Sequence, residues 1–224
     1  MEKLVGVILM AGFSTRFGGP QNKTLVTLKD KPLFAYSIDT FANSKRFSEL
    51  LVVVSPENAK DVEKYITNNK IDAKLVFGGK TRQKSVEHAL SYINGKGFDI
   101  VVIHDAARPL VDDIIIKEVI DAAKLEGAAT AYLYVTDTIA IKNEKEEIVE
   151  FVPRSTLASI QTPQAFKVDL LIKAHEKTTS LEATDDCSLV LALPHKVKLV
   201  KGDKKYHKVT TPEDIKYLEG LLKQ

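Results

Sequence analysis

Short apolar runs alternate with amphipathic segments along most of this chain. Runs rich in Val, Ile and Leu predict strands that are buried on both faces of a sheet. Such runs occupy residues 4–10, 50–54, 74–77, 99–104 and 128–135. The segments between them place apolar residues at helical spacing, and this alternation favours right-handed βαβ units. The pattern therefore predicts an α/β fold built on a mostly parallel sheet.

Proline, glycine and polar residues mark the ends of several predicted elements. Gly127 is expected to end one helix, and Thr211 with Pro212 is expected to begin another. The segment "SIQTPQAF" (159–166) contains Pro163 and is interpreted as a turn. Further elements are predicted as a helix at 168–178, a helix beginning at "ATDD" (183–186) and a strand at 196–201.

The pattern changes after residue 136. Residues 137–154 alternate apolar and polar positions on either side of a charged turn at 143–146, which predicts a two-stranded arm. An isolated hairpin is marginally stable in water, so we expect the arm to pack on another surface, for which a second subunit is the candidate. With no repeat and no clear linker, residues 1–224 are predicted to form a single domain from which the arm 137–154 projects.

Composition narrows the class of protein. The 224 residues are 44% hydrophobic and 28% charged, as in soluble globular proteins, and no apolar run approaches the roughly 20 residues that span a bilayer. The first residues lack a signal peptide's cleavage region, and the single cysteine, Cys187, suits a reducing compartment, so we expect a cytoplasmic protein. A net charge of +2, without basic runs interleaved with aromatics, argues against a nucleic-acid partner.

Arginine is scarce, and its positions indicate candidate sites. It occurs at residues 16, 46, 82, 108 and 154, while lysine is abundant. A guanidinium group suits phosphate or carboxylate because its planar fork binds two oxygens at once. Ligands of parallel sheets bind beyond the carboxyl ends of the strands, and three of these arginines follow predicted strands. The sequence therefore predicts an anionic ligand at that edge.

The stretch "AGFSTRFGGPQNK" (11–23) places Arg16 and Lys23 on a glycine-rich loop after the first strand. Free backbone N–H groups and two cations suit the oxygens of a triphosphate. The same stretch also fits an ordinary turn with solvated charges. It is not a GxGxxG fingerprint, and "FGGKT" (77–81) is not a P-loop because Lys74 replaces the required first glycine. The sequence thus leaves both interpretations of this loop open.

The segment "HDAARP" (104–109) places an acid and an arginine at the end of an apolar strand. Asp105 is a candidate Mg²⁺ ligand, because Mg²⁺ takes one or two carboxylates together with substrate phosphates. The alternative is that Asp105 caps the following turn and pairs with Arg108. His104 is expected to pack rather than to bind metal, and Cys187 is interpreted as a core residue.

Taken in order across nearly the whole chain, these segments resemble the 2-C-methyl-D-erythritol 4-phosphate cytidylyltransferases of the non-mevalonate isoprenoid pathway. The matching segments are "AGFSTRFGGPQNK", "GGKTRQKS", "HDAARP", "DT" at 137–138, "PRS" at 153–155, "QTPQAF", "ATDD" and "KVTTPED". The resemblance implies a Rossmann-like nucleotidyltransferase fold with helices on both faces of a twisted sheet. It also implies a homodimer formed through the projecting arm, and a Mg²⁺-dependent reaction of CTP with methylerythritol phosphate that releases pyrophosphate.

The resemblance also implies roles for individual residues. The catalytic residues that contact the triphosphate would be Arg16 and Lys23. The nucleotide pocket would be lined by Ala11, Gly12, Gly79, Arg82, Ser85, Asp105 and Ala106. The second substrate would be held by Arg108, Thr138, Arg154, Thr162, Thr184 and Lys208. Thr138 and Arg154 would reach the substrate of the other subunit, and Mg²⁺ would be bound mainly by phosphates, with Asp105 as the candidate protein ligand.

Two departures from the family pattern leave the path of the first loop open. Met10 replaces a small residue, and "FSTR" after Gly12 replaces a segment that often has a further glycine. Two other functions also stay open, namely a ribitol 5-phosphate cytidylyltransferase and a nucleotide-binding module without turnover. "HDAARP", Thr138 and Arg154 favour methylerythritol phosphate over ribitol phosphate, and release of pyrophosphate from CTP would separate an enzyme from a binding module.

Overall fold

A computed structural model of the chain describes residues 2–12, 25–177 and 183–223. Helices and strands alternate as the apolar pattern predicts. In chain order the elements are β1 (Leu4–Leu9), β2 (Thr27–Leu28), β3 (Lys31–Pro32), α1 (Leu33–Asn43), β4 (Glu49–Val54), α2 (Ala59–Asn68), β5 (Lys74–Phe77), α3 (Arg82–Ile93), β6 (Ile100–Asp105), α4 (Asp113–Glu126), β7 (Ala128–Tyr134), β8 (Ile139–Lys142), β9 (Ile148–Val152), β10 (Ala158–Lys167), α5 (Val168–Lys177), α6 (Asp186–Leu191), β11 (Lys198–Lys201) and α7 (Pro212–Leu221).

The main sheet, within the described ranges, has seven strands in the order β11-β7-β10-β6-β1-β4-β5. β1 pairs in parallel with β4 and β6, and β4 pairs in parallel with β5. β7 and β11 form a second parallel pair. β10 lies between β6 and β7 and is antiparallel to both. The prediction of a mostly parallel sheet is confirmed, and β10 is the exception.

The interpretation of residues 159–166 as a turn is wrong, because this segment lies inside β10. The pairing of β10 with β7 shifts register between Ile160 and Gln164, and the Thr162–Pro163 peptide bond is cis. A proline is tolerated within a sheet at such an irregularity because no ladder hydrogen bond is required of its nitrogen there. The irregularity lies beside the end of β6, where the candidate site residues are.

Helices cover both faces of the sheet, as predicted. Side chains of β1 alternate between the faces: Leu4 and Ile8 pack with α1, α2 and α4, whereas Val5, Val7 and Leu9 pack with α3, α5 and α6. All six residues of β1 are buried. This period of two places the residues after β1 on opposite sides of the sheet, with Met10 and Ala11 in different clusters.

The predicted helix ends are present. Gly127 follows α4 in the left-handed region with φ of 86°, and its N–H donates to the carbonyl of Ala123 at 2.8 Å. Before α7, the N–H of Thr211 donates to Asp214 Oδ2 at 2.8 Å, which is one half of a capping box. Among the described helices, none is both long and apolar enough to cross a bilayer.

The arm is a hairpin in which β8 and β9 pair antiparallel with each other. Its exposed large apolar residues are Ile139, Ile141, Ile148, Val149 and Phe151. In the described part of the chain, neither strand pairs with the main sheet. A role for this hairpin in dimerisation stays a prediction.

Candidate functional site

The loops that follow β1 and β5 meet at the carboxyl edge of the sheet. A Cβ atom at Gly78 would lie 2.4 Å from the Cβ of Ala11 and 2.8 Å from Ser85 Oγ. Such distances are shorter than van der Waals contact, so only glycine lets the two loops approach this closely. The predicted nucleotide-site residues Ala11 and Ser85 are brought together by this contact.

Hydrogen bonds fix the loop before α3 against the first turn of that helix. Ser85 Oγ accepts from the N–H of Gly79 at 3.2 Å and donates to the carbonyl of Thr81 at 2.9 Å. Thr81 Oγ1 caps the helix by accepting from the N–H of Lys84 at 3.1 Å. A Cβ atom at Gly79 would lie 2.4 Å from Lys84 Cβ, so this glycine is also required for the close approach. The loop thus presents a capped helix N-terminus, which suits an anion, to the site.

Asp105, at the end of β6, is held by two cations from distant parts of the chain. Its Oδ1 accepts from Arg82 Nε at 3.2 Å, and its Oδ2 accepts from Lys208 Nζ at 2.6 Å. The Asp105 side chain is 10% exposed. Burial by itself would raise its pKa, but Arg82 and Lys208 together hold the pKa well below its usual range. Asp105 is therefore an ionised acceptor at neutral pH.

Arg82 is shared between two carboxylates. Besides Asp105, it contacts Asp186 on α6, whose Oδ2 accepts from Arg82 Nη1 at 2.6 Å. Burial would lower the pKa of Arg82, but Asp186 and Asp105 raise it, so the guanidinium stays charged. The third nitrogen, Nη2, is buried and has no hydrogen-bond partner in the described part of the chain. Its hydrogen-bonding capacity is therefore unused by the described residues.

The alternative in which Arg108 pairs with Asp105 is wrong. Arg108 Nη1 donates to the carbonyl of Tyr206 at 2.8 Å, and Nη2 donates to the carbonyl of Ile160 at 3.4 Å. Carbonyl oxygens of the irregular strand β10 and of the turn before Lys208 therefore occupy this guanidinium. Arg108 Nε is buried and, within the described residues, unpaired.

Thr162 and His104 form a buried chain of hydrogen bonds beside Asp105. Thr162 Oγ1 accepts from the N–H of Asp105 at 3.1 Å and lies 3.0 Å from His104 Nδ1. His104 Nε2 lies 3.1 Å from the carbonyl of Arg108. Burial lowers the pKa of His104 to about 4, so the ring is neutral at pH 7. The carbonyl requires a proton on Nε2, and Nδ1 then accepts from the hydroxyl of Thr162. His104 packs, as predicted, and it also orients Thr162.

Other predicted residues are not joined to this cluster. Thr138, Arg154 and Thr184 are exposed. Arg154 Nη1 donates to the carbonyl of Thr136 at 2.8 Å, and none of the three makes a hydrogen bond or ion pair with Asp105 within the described ranges. Gly12 is exposed, and Ala106 is fully buried after β6. Arg16 and Lys23 lie outside the described residues.

Asp186 is the member of the cluster that sequence reasoning missed. The sequence explains the segment "ATDD" as the start of a helix, and Asp185 does cap α6 by accepting from the N–H of Cys187 at 2.8 Å. The next residue, Asp186, is fully buried and turned toward Arg82. The one feature of the sequence that points to Asp186 is that a second acid directly follows the capping residue. This feature does not identify Arg82 as its partner.

The described residues contain no cluster of side chains that could hold a metal ion by itself. Within residues 2–12, 25–177 and 183–223, no group of three or more His, Cys, Asp or Glu side chains could hold a metal ion. Each oxygen of the candidate ligand Asp105 accepts one hydrogen bond, from Arg82 and from Lys208 respectively. A carboxylate oxygen can accept more than one partner, so Asp105 as a Mg²⁺ ligand stays a prediction.

Comparison with known proteins gives one consistent family. The model of the 2-C-methyl-D-erythritol 4-phosphate cytidylyltransferase (IspD) family matches residues 4–224. A relative of that name from Caldanaerobacter subterraneus subsp. tengcongensis is 41% identical, over 97% of this chain and 98% of its own. The crystal structure of 2-C-methyl-D-erythritol 4-phosphate cytidylyltransferase from Thermus thermophilus is similar with a TM-score of 0.80 at 32% identity, covering 100% of both chains. A 4-diphosphocytidyl-2C-methyl-D-erythritol synthase from Anaerococcus prevotii shares the fold, with a TM-score of 0.87 at 24% identity over 100% of this chain and 99% of its own.

Proposed function

Because this chain belongs to the 2-C-methyl-D-erythritol 4-phosphate cytidylyltransferase family, we propose that it transfers CMP from CTP to 2-C-methyl-D-erythritol 4-phosphate. The products are 4-diphosphocytidyl-2-C-methyl-D-erythritol and pyrophosphate, within the non-mevalonate isoprenoid pathway. The observation that carries the proposal is the cluster of Arg82, Asp105 and Lys208, in which Asp105 is largely buried and on which three separate family motifs converge.

The reaction brings two anions together. A phosphate oxygen of methylerythritol phosphate attacks the α-phosphorus of CTP, a new P–O bond forms, and the bond to the pyrophosphate oxygen breaks in line. Positioning and neutralisation of charge account for catalysis of this kind, and no covalent enzyme nucleophile is required. We assign the contacts with the triphosphate to Arg16 and Lys23, on the family resemblance alone.

The cluster offers complementary groups to the two substrates. On the nucleotide side, we assign Asp105 as an acceptor for a sugar hydroxyl and Arg82 Nη2 as a donor, because one is an ionised carboxylate and the other is a buried donor without a partner in the described residues. On the acceptor side, Lys208 has a side chain that is 38% exposed and can contact an incoming phosphate. Arg108, Thr162 and Thr184 are assigned to the same substrate by position in the family motifs.

We also propose that Mg²⁺ reaches the site bound to the phosphates of CTP. Triphosphate oxygens are suitable Mg²⁺ ligands, and the described side chains offer no cage for the ion. Titration of the protein with Mn²⁺, followed by electron paramagnetic resonance, is expected to show binding in the presence of CTP and none in its absence. Stoichiometric binding of Mn²⁺ to the protein without nucleotide would contradict this.

The same proposal includes a homodimer in which the arm of one subunit packs on the other. Two features of the arm support it. Its apolar side chains are exposed, with Phe151 at 62% and Val149 at 64%, and Arg154 makes no ion pair in the described part of its own chain. In this arrangement Thr138 and Arg154 would bind the methylerythritol phosphate of the partner subunit. A cytoplasmic location remains the expectation from the sequence.

A crossed assay tests the activity. Release of pyrophosphate is measured for CTP, ATP, GTP and UTP, each with methylerythritol phosphate and with ribitol 5-phosphate. We expect efficient release only from CTP with methylerythritol phosphate. Faster turnover with ribitol 5-phosphate would show that the proposed acceptor is wrong. Turnover of ATP or GTP as fast as that of CTP would contradict the assignment of a cytidine pocket. Nucleotide binding without any release of pyrophosphate would indicate a binding module.

A further inference from the structure

His175, on α5, lies behind the candidate site and contacts its ion-pair network. The residue is only 5% exposed, and its Nε2 lies 3.0 Å from Asp186 Oδ1. Among the described residues, this is the one hydrogen bond that the buried ring makes, because Nδ1 has no hydrogen-bond partner. The network therefore extends from His175 through Asp186 and Arg82 to Asp105.

The carboxylate of Asp186 needs a donor on each oxygen. It is fully buried, and an ionised group in that position is costly unless both oxygens are hydrogen-bonded. Arg82 Nη1 serves Oδ2, and His175 Nε2 faces Oδ1. Burial raises the pKa of Asp186, but Arg82 and His175 outweigh burial and lower it. Because the ionised carboxylate can only accept, His175 carries a proton on Nε2.

The ring is not held from its other side. Nδ1 of His175 lies 3.9 Å from Glu87 Oε1, which is beyond hydrogen-bond distance, and both atoms are without partners in the described part of the chain. The two residues line a cavity of about 270 Å³ together with Ser91 and Asn94. The contact with Asp186 is therefore what orients the imidazole, and the cavity leaves space for a different side chain at this position.

We propose that His175 is a positioning residue for nucleotide binding, and that it acts by keeping Asp186 on a single nitrogen of Arg82. If Oδ1 lost its donor, the carboxylate of Asp186 would gain by rotating so that both oxygens bind the guanidinium, since bidentate pairing is the favoured geometry of arginine with carboxylate. That rotation would occupy Nη2, the nitrogen that is otherwise left for a ligand. The inference rests on the proposed function, in which Arg82 contacts the nucleotide.

The test compares His175→Leu with His175→Gln. Leucine removes the donor, whereas the side-chain amide of glutamine retains one. We expect His175→Leu to raise the Kd of CTP, measured by calorimetry, and the KM for CTP by about tenfold, the effect of one lost hydrogen bond to a charged group. The KM for methylerythritol phosphate should stay within about twofold, and His175→Gln should restore CTP binding to within about threefold of wild type.

A matched control is His88→Leu, which removes another histidine from the same region. His88 lies on the exposed side of α3 and contacts the carbonyl of Phe77 rather than the Asp186 network. Its CTP affinity should equal that of wild type. If His175→Leu lowers the melting temperature but leaves the Kd of CTP unchanged, or if His175→Gln fails to restore binding while folding normally, His175 is merely structural and the inference is wrong.

A double-mutant cycle tests the route through Arg82. In an Arg82→Lys background, which has no Nη2 to protect, His175→Leu should change CTP affinity by less than about twofold. The full tenfold effect in that background would overturn the proposed route. Failure of the proposed function would give a different result, because wild-type protein would then release no pyrophosphate from CTP with any acceptor. The calorimetric comparison of the His175 variants measures binding and does not depend on turnover.

Discussion

The Asp105 cluster and the arm differ in where their side chains find partners. Asp105 takes both of its cations from its own chain, although Arg82 and Lys208 are far from it in sequence. On the arm, Phe151 is 62% exposed, and Arg154 binds a carbonyl of its own chain within the described residues. One region is assembled by folding of a single subunit, whereas the other presents surface that folding has left uncovered.

Under the proposed dimer arrangement, the two regions therefore differ in whether their candidate site residues are positioned by one chain alone or need a second chain. Groups fixed before a substrate arrives need little rearrangement, and the ion pairs of the Asp105 cluster are already formed within the single chain. In the proposed homodimer, the arm residues assigned to the second substrate would gain their function only from a neighbouring chain. The following experiments test that distinction, in order of decreasing expected effect.

The largest effect is expected from mixing two inactive variants. Lys23→Ala homodimers should lose about 10²–10³-fold or more in kcat, because the change removes a cation from the transition state. Arg154→Ala homodimers should also be nearly inactive, because they lose the proposed contact with methylerythritol phosphate. If every site combines Lys23 of one chain with Arg154 of the other, a mixed dimer has one intact site and one doubly deficient site. Refolding equal amounts together should then restore about a quarter of wild-type activity, since half of the dimers are mixed.

Mass spectrometry of the intact dimers provides the control for this experiment. Mixed dimers that remain as inactive as their parents would show that Arg154 acts in the active site of its own chain. The arm and the Asp105 cluster would then both act within a single subunit. Arg16→Ala offers an independent partner for Arg154→Ala, with the same expected recovery. Circular dichroism of each parent should match the wild-type spectrum.

The second effect concerns the stability of the cluster. Asp105→Asn leaves Arg82 and Lys208 without their shared counter-charge, and should lower the free energy of unfolding by about 3 kcal/mol, as expected for breaking a largely buried ion pair. Urea denaturation measures this change. The matched control is Asp113→Asn, which breaks the exposed pair between Asp113 and Arg46. That variant should lose no more than about 1 kcal/mol. If both variants lost the same free energy of unfolding, the ion pairs of Asp105 would contribute no more to stability than an exposed pair does.

The third effect is a dependence of stability on pH. Arg82 and Lys208 outweigh burial and hold the pKa of Asp105 below its usual range, so its ionised form stabilises the fold. This contribution is present above the unfolded-state pKa of about 3.9, and it is lost as pH falls from there toward the folded-state value, by at most about 1.4 kcal/mol per pH unit. Unfolding followed from pH 5 to pH 3 should show a shallower decline for Asp105→Asn than for wild type. Parallel curves would exclude a strong contribution from Asp105.

The smallest effect on folding is expected at the arm. Phe151→Asp should change the free energy of unfolding of the monomer by less than about 0.5 kcal/mol, because the side chain is exposed in the single chain. The same variant should nevertheless shift the protein from dimer to monomer in light scattering. Leu125→Asp, at an 85% exposed position on α4, is the matched control and should leave the association state unchanged. A Phe151→Asp protein that stays dimeric would require another interface.

Local patterns were sufficient for much of the fold. The five apolar runs became strands, Gly127 ends α4, and Thr211 begins α7, because these features depend on residues within a few positions of one another. The strand β10 was not predicted, since its proline argued locally for a turn. Its place between β6 and β7 satisfies pairing partners more than twenty residues away in sequence.

For the candidate site, the sequence determined which chemical groups follow the strands, and therefore that an anionic ligand was expected beyond them. Only the tertiary structure decided how those groups pair. It placed Arg82 between Asp105 and Asp186, gave Arg108 to carbonyl oxygens rather than to Asp105, and brought His175 behind Asp186. The reason is physical: the identity of a buried charge is local information, but its partner is set by chain segments that meet only when the sheet and helices pack.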